Sequence, residues 1–128
     1  MTISLAGPLS SGVAAGTAGS ATNNATTVSV LSGIVRGVHI DYVGSPPGAT
    51  TDVTVATAGI NAPAETIIAI VDAATDGWFY PKTLFNLNTT GAATTALYEF
   101  IVIHDKVKIT IAGANAADYV LVYILLET

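Results

Sequence analysis

From Thr26 to the end of the chain, apolar and polar residues alternate with a period of two, the pattern of strands lying on a core. "TVSVL" sets Val28 and Val30 against polar neighbours. In "GIVRGVHIDYV", Val38, Ile40 and Tyr42 share one side, and Gly37, His39, Asp41 and Val43 the other. Thr51 to Thr57 sets Val53 and Val55 against Asp52 and Thr54, and "ETIIAIVD" makes a further strand. In "LYEFIVIHDKVKITIAG" two strands are predicted to join at or near His104-Asp105, with Val107, Ile109 and Ile111 facing away from Lys106, Lys108 and Thr110. Turn clusters such as "SPPGATT", "AGINAP" and "GANAAD" separate the runs. The pattern predicts an all-β chain, an antiparallel β-sandwich or jelly-roll of about eight strands.

Residues 1–25 lack that alternation. "GPLSSGVAAGTAGSATNNA" is built from small and polar residues with little apolar area to offset the entropy of ordering them. The sequence therefore predicts two parts: a low-complexity N-terminal arm over 1–25, flexible or ordered by a partner, and a β-sandwich domain over 26–128.

Some strands are apolar on both sides. In "YVLVYILLE", Tyr119, Leu121, Tyr123 and Leu125 lie on one face and Val120, Val122, Ile124 and Leu126 on the other. Leu97 to Ile103 is two-sided as well, apart from Glu99. A small sandwich buries only the inner face of each sheet, so the outer apolar faces need a second cover. Another copy of the chain is the expected cover, with Leu97, Ile101, Ile103, Tyr119, Leu121, Tyr123 and Leu125 at the subunit interface.

Composition narrows the classes of function. Only 10% of residues are charged, the net charge is −5, and the basic residues are Arg36, Lys82, Lys106 and Lys108. Four scattered cations make no phosphate-binding patch, which argues against nucleic acid as a partner. The longest apolar run, Val120 to Leu126, is far short of the roughly 20 residues of a membrane-spanning helix. "MTISLAGPLS" lacks the charged and apolar regions of a secretory signal. With no cysteine there is no disulfide framework and no thiolate chemistry.

Catalytic candidates are few. His39 and Asp41 leave the same face of a strand, as two ligands or a base with its orienting carboxylate would, but a site needs a third convergent group. His104 and Asp105 are predicted to diverge at a turn. Asp72 and Asp76 flank a turn without the spaced oxygen ligands of a calcium loop. Asn24 and Asn88 begin glycosylation sequons. No enzyme, cofactor or metal site is expected. "ATDGWFYPK" gathers Trp78, Phe79 and Tyr80 after an Asp-Gly turn and before a Pro. Strand geometry sends Trp78 and Tyr80 one way and Phe79 the other, which predicts aromatic packing, part into the sandwich and part onto a neighbour.

The blocks "VHIDYVGSPPGATTDVTVATAG", "PAETIIAIVDAATDGWFYPK" and "VIHDKVKITIAGANAADYVLVYILLE" resemble, in order, the capsid decoration or cement proteins of tailed bacteriophages. The resemblance covers about Thr26 to Glu127. It implies a β-sandwich or jelly-roll module that forms a homo-oligomer, a trimer, and binds the major capsid protein on the outer surface of the head. Such a protein is made in the host bacterial cytoplasm and resides in the virion; the resemblance transfers no catalytic residue. The N-terminal arm is the expected capsid contact, by strand addition to a neighbouring sheet. The alternatives are a glycan-binding β-sandwich module of a virion fibre or surface array, and a jelly-roll shell protein.

Overall fold

The computed structural model describes residues 1–44, 46–86 and 91–128. The described residues form eleven strands and no helix. One antiparallel sheet runs in the order β1 (Ile3–Ser10), β11 (Tyr119–Glu127), β3 (Leu31–Val43), β6 (Gly77–Phe79), with β9 (Val102–Asp105) also on β3. The second runs β2 (Ala21–Thr26), β10 (Val107–Ala114), β4 (Asp52–Thr57), β5 (Thr66–Ile70). A separate two-stranded ribbon pairs β7 (Lys82–Asn86) with β8 (Ala93–Phe100).

The alternation that defines the strands also builds the core. Val120, Val122, Ile124 and Leu126 of β11 and Val35, Val38, Ile40 and Tyr42 of β3 point inward. They meet Val107, Ile109 and Ile111 of β10 and Val53 and Val55 of β4 in one cluster. Each such side chain contributes about 1.5–3 kcal/mol by burial.

Residues 1–25 do not stand apart from the sandwich. β1 pairs along β11, from Ile3 opposite Glu127 to Ser10 opposite Leu121, and β2 pairs along β10. Ala14 and Ala21 belong to the buried core, and the buried Ser11 hydroxyl accepts from the Val120 N–H at 3.1 Å. Backbone pairing and close packing of small residues order this segment where large apolar side chains are lacking. In turn, "TVSVL" is not a strand: Val28 and Ser29 form a bend between β2 and β3.

The predicted joint at His104-Asp105 is not a hairpin. β9 pairs with β3, whereas β10 pairs with β2 and β4, so the chain passes from one sheet to the other at Lys106. The run from Leu97 to Ile103 is not one strand either. It breaks at Ile101 between the ribbon and β9, and Ile101 and Ile103 are core residues at 4% and 3% exposure. They are therefore not surface positions of a subunit interface. Ser45, Leu87, Asn88 and their sequon, and the start of the "TTGAATTA" loop, lie outside the described residues; the end of that loop belongs to β8.

Candidate interaction surface

The two sheets present contrasting outer faces. On the four-stranded sheet the outward register rows are Thr26, Lys108 and Ala56, then Asn24, Thr110 and Thr54. That face is polar and threonine-rich. On the five-stranded sheet the rows are Leu5, Leu125 and Gly37, then Tyr123, His39 and Trp78, with Leu121 opposite Asp41. That face is apolar and aromatic.

Gly37 explains how the aromatic residues lie on this face. A Cβ there would meet the rings of Trp78 and Tyr80 at 3.4 Å, so both rings cover the bare backbone of β3. Trp78 nevertheless remains 45% and Tyr80 65% exposed. Phe79 points the other way, opposite Val38, and packs against the core. The triplet is divided as its alternation predicts. The His39 ring stands edge-on to Trp78 at 5.1 Å and to Tyr123 at 6.0 Å between centroids.

At one corner the face deepens into a groove of about 380 Å³ lined by Ile3, Arg36, Tyr80, Lys82, Phe100 and Leu125. Arg36 sits where the β3–β11 register shifts, and its guanidinium lies 3.2 Å from the Glu127 carboxylate. Arg36 and Lys82 both lie over the Phe100 ring, at 4.2 and 4.8 Å from its centroid. Two of the four basic residues of the chain therefore meet at this corner. Sequence reasoning missed the groove because its walls come from distant segments; only the two-sided pattern of β11 pointed toward it.

The predicted interface positions divide. Tyr119, Leu121, Tyr123 and Leu125 lie on the outer side of β11, half-buried, and Leu97 is 58% exposed on the ribbon. Val102 of β9 is outward and exposed in place of the buried Ile101 and Ile103.

His39 and Asp41 share the outer face, but among the described residues no three His, Cys, Asp or Glu side chains converge as a metal site would require. His104 Nδ1 is 2.6 Å from the Ser32 hydroxyl, and Asp105 points inward. The Asp76 carboxylate accepts from the Tyr42 N–H and the Asp52 carboxylate from the Asp72 N–H, so these acids hold turns. Asn24 is exposed on β2, opposite Thr110. At the loop end of the sandwich a hollow lined by Val43, Gly44, Pro46 and residues 115–118 contains Asp118, whose carboxylate accepts the N–H groups of Gly48 and Asn115.

Among the described residues, the fold shifts the titration of Asp105 and Tyr42. Burial of Asp105 pushes its carboxyl up. Four backbone N–H donors, those of Lys106, Asn61, Ile60 and Gly59, together outweigh that and leave it below the ordinary aspartate value. Tyr42 is pushed up by burial first, then by the Asp76 and Asp52 charges, and its buried hydroxyl has no partner among the described residues.

Comparison of the chain with protein-family models, with curated proteins and with solved structures finds no match.

Proposed function

We propose that this protein is a structural component of a virion: a capsid decoration protein that binds the outer surface of a phage head as a homotrimer and bridges capsid subunits. The observation that carries this reading is the asymmetry of the sandwich. One outer face is apolar and aromatic and needs a cover; the other is polar and needs none. A module with that asymmetry associates through one sheet and exposes the other.

The strand order adds support. The pairs β1–β11, β2–β10, β3–β9 and β4–β5, distributed over sheets ordered β1-β11-β3-β6 and β2-β10-β4-β5, are compatible with the wrapping of a jelly roll, an architecture shared by capsid proteins and lectins. The ordered sequence blocks that resemble cement proteins run through these same strands. Binding only to the assembled shell stabilises it by mass action. Three copies of one contact surface gain avidity, so individually modest contacts suffice. With β1 and β2 built into the two sheets, the N-terminal segment is no free arm, and shell contact falls to the exposed surface of the folded module.

Co-sedimentation with undecorated heads, imaged to locate added density, tests this reading. Saturable binding at fixed lattice positions is expected. A chain that stays in the supernatant at saturating concentration overturns it. A second reading rests on Trp78 and Tyr80, which share one exposed face beside Asp41: a glycan-binding module, in which sugars stack on those rings. Specific glycan-array hits lost in Trp78→Ala would favour it over the decoration reading.

A further inference from the structure

The β7–β8 ribbon has two sides of unlike chemistry. Lys82 lies opposite Phe100 and Leu84 opposite Tyr98, so these four side chains share one side; Thr83 and Glu99 share the other. The first side carries Phe100 and Lys82, which wall the cationic groove of their own chain. By the alternation of β8, Leu97 and Glu99 leave the opposite side, where both are exposed. Among the described residues Lys82 has no acidic partner within ion-pair distance, and neither has Glu99 a basic one. One chain thus carries an apolar and acidic knob turned outward and an apolar and cationic groove beside it.

Resting on the assembly reading above, we infer that the groove lined by Ile3, Arg36, Tyr80, Lys82, Phe100 and Leu125 is the receptor for the β7–β8 ribbon of a second copy of this chain. Leu97 of the incoming ribbon covers the aliphatic floor formed by Ile3 and Leu125, and Glu99 meets Lys82 and the Arg36 edge. Charge complementarity selects this occupant. The groove holds Lys82, which has no acidic partner among the described residues, beside Arg36, whose charge is shared with Glu127, in a chain whose net charge is −5; the incoming knob pairs an acid with an exposed leucine. Each chain offers one knob and one groove, so the contact repeated head to tail closes into a ring when the rotation allows, and the proposed trimer is a ring of three; each knob set in the other's groove would instead close a two-fold dimer. The lysine and the glutamate that would meet leave opposite sides of the same ribbon, so they do not pair within one chain.

A charge exchange tests the contact. The full chain is studied by sedimentation velocity and light scattering across a concentration series, with circular dichroism to confirm that each variant is folded. Lys82→Glu and Glu99→Lys each place like charges across the contact, and each is expected to weaken association by roughly tenfold or more. The double variant restores opposite charges in reversed order and is expected to recover association to within a few-fold. An equimolar mixture of the two single variants is expected to associate more strongly than either alone but less than the double variant, because a ring of three built from two kinds of chain leaves one contact between like charges. A wild-type monomer at micromolar concentration overturns the inference, as does a double variant no stronger than the singles. Leu97→Ser, which alters no charge, gives an independent reading; unchanged association in that variant also counts against the contact. Head binding is measured separately. Rescue without head binding would remove the decoration reading and leave this contact standing, and head binding without rescue would do the reverse.

Discussion

At the residue scale, two side chains show how the fold uses polar groups inside an apolar sandwich. Asp105 lies where the chain crosses between sheets, and its carboxylate accepts the N–H groups of Gly59 and Ile60 at 2.9 Å and of Asn61 at 3.3 Å. It anchors the 59–61 turn to the crossing. Its folded pKa lies below the unfolded one, so its contribution is complete above the unfolded carboxylate pKa and is lost as pH falls through the folded value. Urea midpoints of the wild type and Asp105→Asn are expected to differ by a constant amount from neutral pH down to about 4, with the gap closing only in stronger acid. Tyr42 behaves in the opposite sense. Its raised pKa means that stability is complete below the unfolded phenol value and declines as pH rises toward the folded one. Because its hydroxyl is buried without a partner among the described residues, Tyr42→Phe removes only a cost. The variant is expected to gain about 1 kcal/mol in chemical denaturation and to lose its share of the alkaline decline.

At the element scale, the alternation made β3, β4, β10 and β11 legible, down to which side chains of β11 point inward. It did not reveal partners. Period two fixes parity along one strand but says nothing about the neighbour, so β9 and β10 read as a hairpin although they belong to different sheets. Parity also fails across a break. Leu97, Ile101 and Ile103 have the same parity, yet the chain leaves the ribbon at Ile101, and only Leu97 stays outside. The N-terminal strands were hidden for another reason: they are held by backbone hydrogen bonds and by the tight fit of Ala14 and Ala21. Deleting residues 1–10 removes β1, uncovers one edge of β11 and withdraws Ala6 and Leu9 from the core. The truncated chain is expected to show a lower urea midpoint and concentration-dependent aggregation through the bared edge. An unchanged midpoint and hydrodynamic size would mean that β1 contributes nothing.

At the scale of the whole molecule, the candidate surface was half legible. The outward apolar side of β11 could be read from "YVLVYILLE", whereas the groove could not, because Ile3, Arg36, Tyr80, Lys82 and Phe100 are brought together only by tertiary pairing. The contrast between the two outer faces makes a paired prediction. Leu121→Asp sets a second carboxylate opposite Asp41 on the apolar face and is expected to yield a folded chain of monomer mass in light scattering. Thr54→Lys, on the polar face, is expected to leave the mass of the assembly unchanged. A normal assembly in the first variant, or dissociation in the second, would reverse the assignment of the faces.

The split edge of β3 has a consequence for how the molecule can be taken apart. β6 ends on Phe79 opposite Val38, β9 resumes on Val102 opposite Ile34, and Ile101 already accepts the Val35 N–H at 2.8 Å. The ribbon is thus an interpolation in what is otherwise one edge strand. A shortened gene in which a single residue replaces 81–100 would close the seam and leave both sheets intact. Such a chain should fold as a solitary sandwich, because the excision takes away the knob and two walls of its receptor while the remaining wall residues, Ile3, Arg36, Tyr80 and Leu125, stay behind with nothing to grip.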